Sequence, residues 1–145
     1  MEGIREVIIG GLLPAILFGA GSILQKAGNK IGIAQSHYLI SFAAGIIAAG
    51  VISFLVVKGG TFSFKAGAFA AGHGLLFGAG FALIGFGIVV FNMPISKIVP
   101  LVNMSALVAV ALGLVVFKEY AGVNVFNLLA GAILIVAGGI LVGKS

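Results

Sequence analysis

Eleven charged side chains punctuate an otherwise apolar chain: Glu2, Arg5, Glu6, Lys26, Lys30, Lys58, Lys65, Lys97, Lys118, Glu119 and Lys144. Between them lie five runs free of Asp, Glu, Lys and Arg, at 7–25, 31–57, 66–96, 98–117 and 120–143, with lengths of 19, 27, 31, 20 and 24 residues. A helix needs about 20 apolar residues to cross a hydrocarbon core of roughly 30 Å. Each run therefore holds one crossing, and none holds two with a turn. The runs are apolar on every face, as the stretch from Ala106 to Phe117 shows, whereas strands of a membrane barrel alternate apolar and polar residues over about 10 positions. In lipid a helix satisfies its own backbone groups. The pattern predicts an all-α membrane protein: five transmembrane helices, about 7–25, 37–57, 67–90, 97–117 and 124–143, in a single domain over 1–145. The connections fall at 26–36, 58–66, 91–96 and 118–123, with turn signals at Gly59-Gly60 and at Gly122 with Asn124. Asn92-Met93-Pro94 ends the long third run before a new helix start near Ser96. The first apolar stretch is longer than the roughly 7–15-residue core of a cleaved signal and contains Pro14, so it is expected to stay as the first span.

Composition sharpens this. The 145 residues are 61% apolar and 8% charged, against roughly 25% charged in soluble domains. That excludes a soluble enzyme. The net charge of +5 comes from scattered Lys and Arg without a basic cluster, and there is no Trp to stack a base, so nucleic acid is not an expected partner. Cysteine is absent, which removes disulfides and thiolate metal sites. Five crossings put the two ends on opposite sides of the membrane. The N-terminal side then carries Arg5, Lys58, Lys65 and Lys118, and the other side Lys26, Lys30, Lys97 and Lys144. Four against four gives the positive-inside rule nothing to act on. Either a few Lys snorkel and blur the count, or copies insert both ways and pair antiparallel.

The helix faces carry the remaining signals. In the third helix Gly67, Ala71, Gly74, Gly78, Ala82 and Gly85 form a small-residue stripe that lets another helix approach, within the bundle or from a partner. Gly139 and Gly143 in the last helix suit docking against a symmetry mate. Polar groups inside spans are costly and mark candidate function. His73 is the intramembrane titratable candidate, with Phe77 and Phe81 one and two turns beyond it. Ser96, Pro100 and Asn103 share a face of the fourth helix, where proline also frees a carbonyl one turn back. Pro14, Phe18, Gly21 and Gln25 share a face of the first helix with Ser22 adjacent, and Tyr38, Ser41 and Gly45 one of the second. Acidic residues occur only at Glu2, Glu6 and Glu119, at helix ends. No paired carboxylates, intramembrane Ser–His–Asp set or P-loop is available, so neither an enzyme, a cofactor nor a metal is expected.

Ser96-Lys97-Ile98-Val99-Pro100, then Ser105, Glu119, Gly131-Ala132-Ile133-Leu134-Ile135 and Gly138 resemble the drug/metabolite transporter superfamily. The closest likeness is to its half-length EamA-like proteins with a single five-helix repeat. Gln25-Lys26-Ala27-Gly28 is similar to that family's first hairpin. The resemblance implies a repeat completed by a second, inverted copy around a central cavity, in a prokaryotic cytoplasmic membrane. The first helix lacks the carboxylate on which the small multidrug resistance relatives rely, so their drug–proton antiport is not implied. The expected protein is a secondary transporter of a small organic metabolite, such as an amino acid, working by alternating access as an antiparallel homodimer. Phe18, Ser22, His73, Phe77, Pro100 and Asn103 are the expected path residues. The alternative is a non-transporting membrane scaffold or a subunit of a heteromeric transporter.

Overall fold

A computed structural model describes residues 2–118 and 123–144, where all regular structure is helical. Five helical stretches are long and apolar enough to cross a membrane: Ile4–Ile31, Gln35–Val56, Phe64–Val89, Ile95–Val116 and Val125–Lys144. Glu119 and Gly122 lie outside the described residues.

The first stretch combines α1 (Glu2–Val7), a π-helical turn (Ile8–Leu12) and α2 (Leu13–Ile31). Pro14 explains the wide turn. It has no amide proton, and its ring would collide with the Gly10 carbonyl four residues back. The helix widens instead, and the Leu13 amide reaches the Ile8 carbonyl, five residues back. From there α2 continues through Lys26 and Lys30 to Ile31, beyond the end expected near residue 25. A Lys charge does not stop a helix, because its stem carries the ammonium toward the interface. What stops α2 is Gly32, in the left-handed region at φ 100°, with its amide on the Asn29 carbonyl at 3.2 Å. The connection shrinks to 32–34.

Helix α3 (Gln35–Val56) ends before Gly59 and Gly60, whose φ values of 106° and 104° turn the chain. Ser63 caps α4 (Phe64–Val89), its hydroxyl accepting the Ala66 amide at 3.5 Å. The fourth span is broken into α5 (Ile95–Val102) and α6 (Ser105–Val116). Pro100 has no amide for the Ser96 carbonyl. Beyond it, the amides of Met104, Ala106 and Leu107 each reach back only three residues, at 3.1, 3.1 and 3.0 Å. Asn124 caps α7 (Val125–Lys144) through its carboxamide oxygen, 3.1 Å from the Asn127 amide.

Contacts group the chain into two units, Met1–Asn92 and Met93–Ser145. In the first, α2, α3 and α4 pack pairwise; in the second, α7 packs on α5 and α6. Gly139 is where α7 receives the broken span: a Cβ there would stand 2.9 Å from Met104 Sδ and 3.1 Å from its Cγ. At Gly143 it would meet Leu101 Cδ2 at 3.6 Å. The glycine pair that suited a symmetry mate thus takes side chains of its own chain. Burial is inverted relative to a water-soluble domain. Phe54, Leu75 and Leu134 are exposed, whereas Gln25 is 2% and Asn29 6% exposed.

Candidate functional site

The inverted burial locates the site in the first unit. Gln25 and Asn29 lie four residues apart on α2 and so share a face. Gln35 opens α3, and Phe81 and Gly85 lie one turn apart on α4. Gln25 Nε2 donates to the Phe81 carbonyl at 3.4 Å, and Gln35 Nε2 donates to the same oxygen at 3.2 Å. One main-chain carbonyl therefore ties three helices. Gly85 is required beside it, because the Gln35 carboxamide occupies the place a Cβ would take. At Gly28, by contrast, a Cβ would meet the Tyr38 ring at 3.8 Å, an ordinary contact that needs no glycine.

The cluster is incompletely paired. Asn29 Nδ2 and Oδ1 and Gln35 Oε1 are buried without a hydrogen-bond partner. A buried polar group left in this state costs about 1–3 kcal/mol, so the positions matter more than packing alone explains. Asn29 stands two residues before the end of α2, and Gln25 about 9 Å before it at 1.5 Å per residue. The cluster therefore lies toward the 32–34 connection.

An aromatic row extends from it. Tyr38 stacks near Phe42 with ring centroids 6.1 Å apart, and Phe42 meets Phe81 edge-on at 4.7 Å. Phe81 is 6.4 Å from Phe77, and Phe77 meets His73 edge-on at 4.4 Å. Phe81 belongs to both features, through its ring here and through its carbonyl in the cluster.

No known family's profile, curated protein or solved structure matches this chain. Its chemistry is read from its own residues. Carboxamides do not titrate near neutrality, so Gln25, Asn29 and Gln35 act by matching donors to acceptors and not by moving protons. Among the described residues, no three His, Cys, Asp or Glu side chains are grouped to hold a metal.

The expected path residues have different fates. Phe18 is 74% exposed, and the Ser22 hydroxyl donates to the Phe18 carbonyl at 2.9 Å, within its own helix. His73 and Phe77 touch each other at the far, exposed end of the aromatic row. Among the described residues, no hydrogen bond or ring contact joins Phe18 or Ser22 to them. Pro100 and Asn103 belong to the second unit, Pro100 half-buried and Asn103 exposed at the break in the fourth span. That unit also has an open hollow of about 330 Å³ lined by Pro94, Ser96, Lys97 and Val142. Asn29 and Gln35 are not among the expected path residues because they fall in 26–36, which the charge pattern marks as a connection. The available signal was the four-residue spacing of two carboxamides shortly before Gly32.

Proposed function

We propose that the chain is one half of a secondary transporter for a small organic solute, completed by a second copy in the opposite orientation. The observation that carries this reading is a set of uncharged carboxamides, Gln25 and Asn29 buried and Gln35 half-buried, among helices whose large apolar side chains face outward. Paired amides such as Gln25 hold helices together, but the unpaired polar atoms of Asn29 and Gln35 add no such tie, and polar groups of that kind inside membrane bundles mark solute paths. Two further features support it. The fourth span is interrupted at Asn103–Met104, and transporter sites use broken helices whose backbone groups are freed for binding or bending. The positive charges divide equally between the two ends of the spans, as insertion in both orientations requires. The resemblance to the half-length EamA-like proteins points the same way and brings an integral location in a prokaryotic cytoplasmic membrane.

In this mechanism the solute enters from one face, and the two copies rock against each other to release it at the opposite face. The deciding experiment attaches activity reporters for each side of the membrane to the C-terminus of the chain expressed alone. Signal from both sides is the expected result. A single orientation would sink the antiparallel homodimer and leave a heteromeric partner or scaffold role.

A further inference from the structure

We propose that Gln25, Asn29 and Gln35 form a recognition subsite for an uncharged carboxamide group on the solute, an inference that rests on the transporter reading. Asn29 offers a donor and an acceptor from one flat group, both buried and both unpaired. A second carboxamide complements it best, since its N–H and C=O have the same spacing and close a ring of two hydrogen bonds. A primary carboxamide keeps one further N–H, and Gln35 Oε1 is an acceptor that is also unpaired.

Charged groups fit worse. A carboxylate brings only acceptors against Asn29 Oδ1 and Gln35 Oε1, and an ammonium brings no acceptor for Asn29 Nδ2. Among the described residues no ionised side chain hydrogen-bonds to the three, and the Gln25 and Gln35 donors go to the Phe81 carbonyl. That carbonyl sets the geometry by holding Gln25 and Gln35 from two helices. The Phe81 ring, edge-on to Phe42, supplies an apolar surface next to the polar one. Selectivity would be steep, because a site built for hydrogen bonding leaves its own buried groups unpaired when the wrong solute binds.

The test uses the full chain in lipid nanodiscs and three probes that share a ring and differ in charge: benzamide, benzoate and benzylamine. Calorimetric titration is expected to show benzamide binding about tenfold or more tightly than the other two. Gln35→Leu should weaken benzamide by about tenfold, the scale of one lost hydrogen bond to a buried group, and, separately, Asn29→Leu, which removes two, by about a hundredfold. Circular dichroism and elution volume establish that each variant is folded, and if Asn29→Leu is not, Gln35→Leu decides. Equal binding of the three probes, no binding of benzamide, or benzamide binding that survives the folded variants would overturn the subsite. Flux of labelled benzamide through proteoliposomes separates the two readings. Selective binding without flux would remove transport and leave the subsite, whereas flux undiminished in both variants would remove the subsite and leave transport.

Discussion

Asn29 and Gln25 are both carboxamides on one face of α2, yet their energetics have opposite signs. Gln25 has the Phe81 carbonyl as a partner, and Asn29 has none for either polar atom. Replacing Asn29 with leucine, a side chain of similar branching, removes two unpaired buried groups. It is expected to raise the melting temperature in detergent, by the equivalent of about 1–3 kcal/mol. A protein that retains such a residue gives up stability for something else, as binding sites commonly do. Gly85 tests the neighbouring contact. Gly85→Ala should lower stability by about 1–3 kcal/mol through overpacking against the Gln35 carboxamide. The double variant Gly85→Ala with Gln35→Ala should recover part of that loss. A strictly additive cycle would show that the two residues do not interact.

At the level of the helices, two prolines act in different ways. Pro14 is absorbed by a π-turn and its helix continues, whereas Pro100 is followed by a tight turn and a new helix start. Pro100→Ala supplies an amide for the Ser96 carbonyl. It should raise the melting temperature, by less than the roughly 3 kcal/mol of a proline in an intact helix interior, because the three-residue turns at Asn103 and Met104 remain. Solute exchange should slow at the same time if the break serves as the bending point, with binding unchanged. The number of spans was legible in the sequence because charge is expensive in lipid and marks where the chain leaves it. The end of the first span was not. Lys26 and Lys30 looked like a boundary, but long stems let lysines sit in a helix near the interface, and only Gly32 has the backbone that stops it. A boundary set by the lysines leaves Asn29 and Gln35 in a connection and the carboxamide cluster out of view. Even with the right boundary, the meeting of Gln25 and Gln35 at Phe81, 56 and 46 residues away in sequence, is set by packing that helix periodicity does not contain.

For the whole molecule, the balance of charges can be tipped on purpose. Lys58→Ala with Lys65→Ala leaves Arg5 and Lys118 on one side against Lys26, Lys30, Lys97 and Lys144 on the other, two against four. Lys30→Ala with Lys144→Ala leaves Lys26 and Lys97 against four, biasing the opposite way. All four substituted lysines are exposed, so the fold should tolerate both changes. Each variant should insert in one orientation, with its C-terminal reporter active on one side only. Each should be inactive when expressed alone, and together they should regain solute exchange. Full activity of either one alone would contradict the antiparallel pair. The parity of the spans has a genetic consequence as well. If all five helices that are long and apolar enough to cross do so, the chain ends on the far side, and a tandem duplication of the coding sequence with a short linker would begin its second half there. The duplicate would be inverted without an added helix. Under the proposed antiparallel pairing, a single fused polypeptide could then replace the two opposed copies, and each half would be free to diverge.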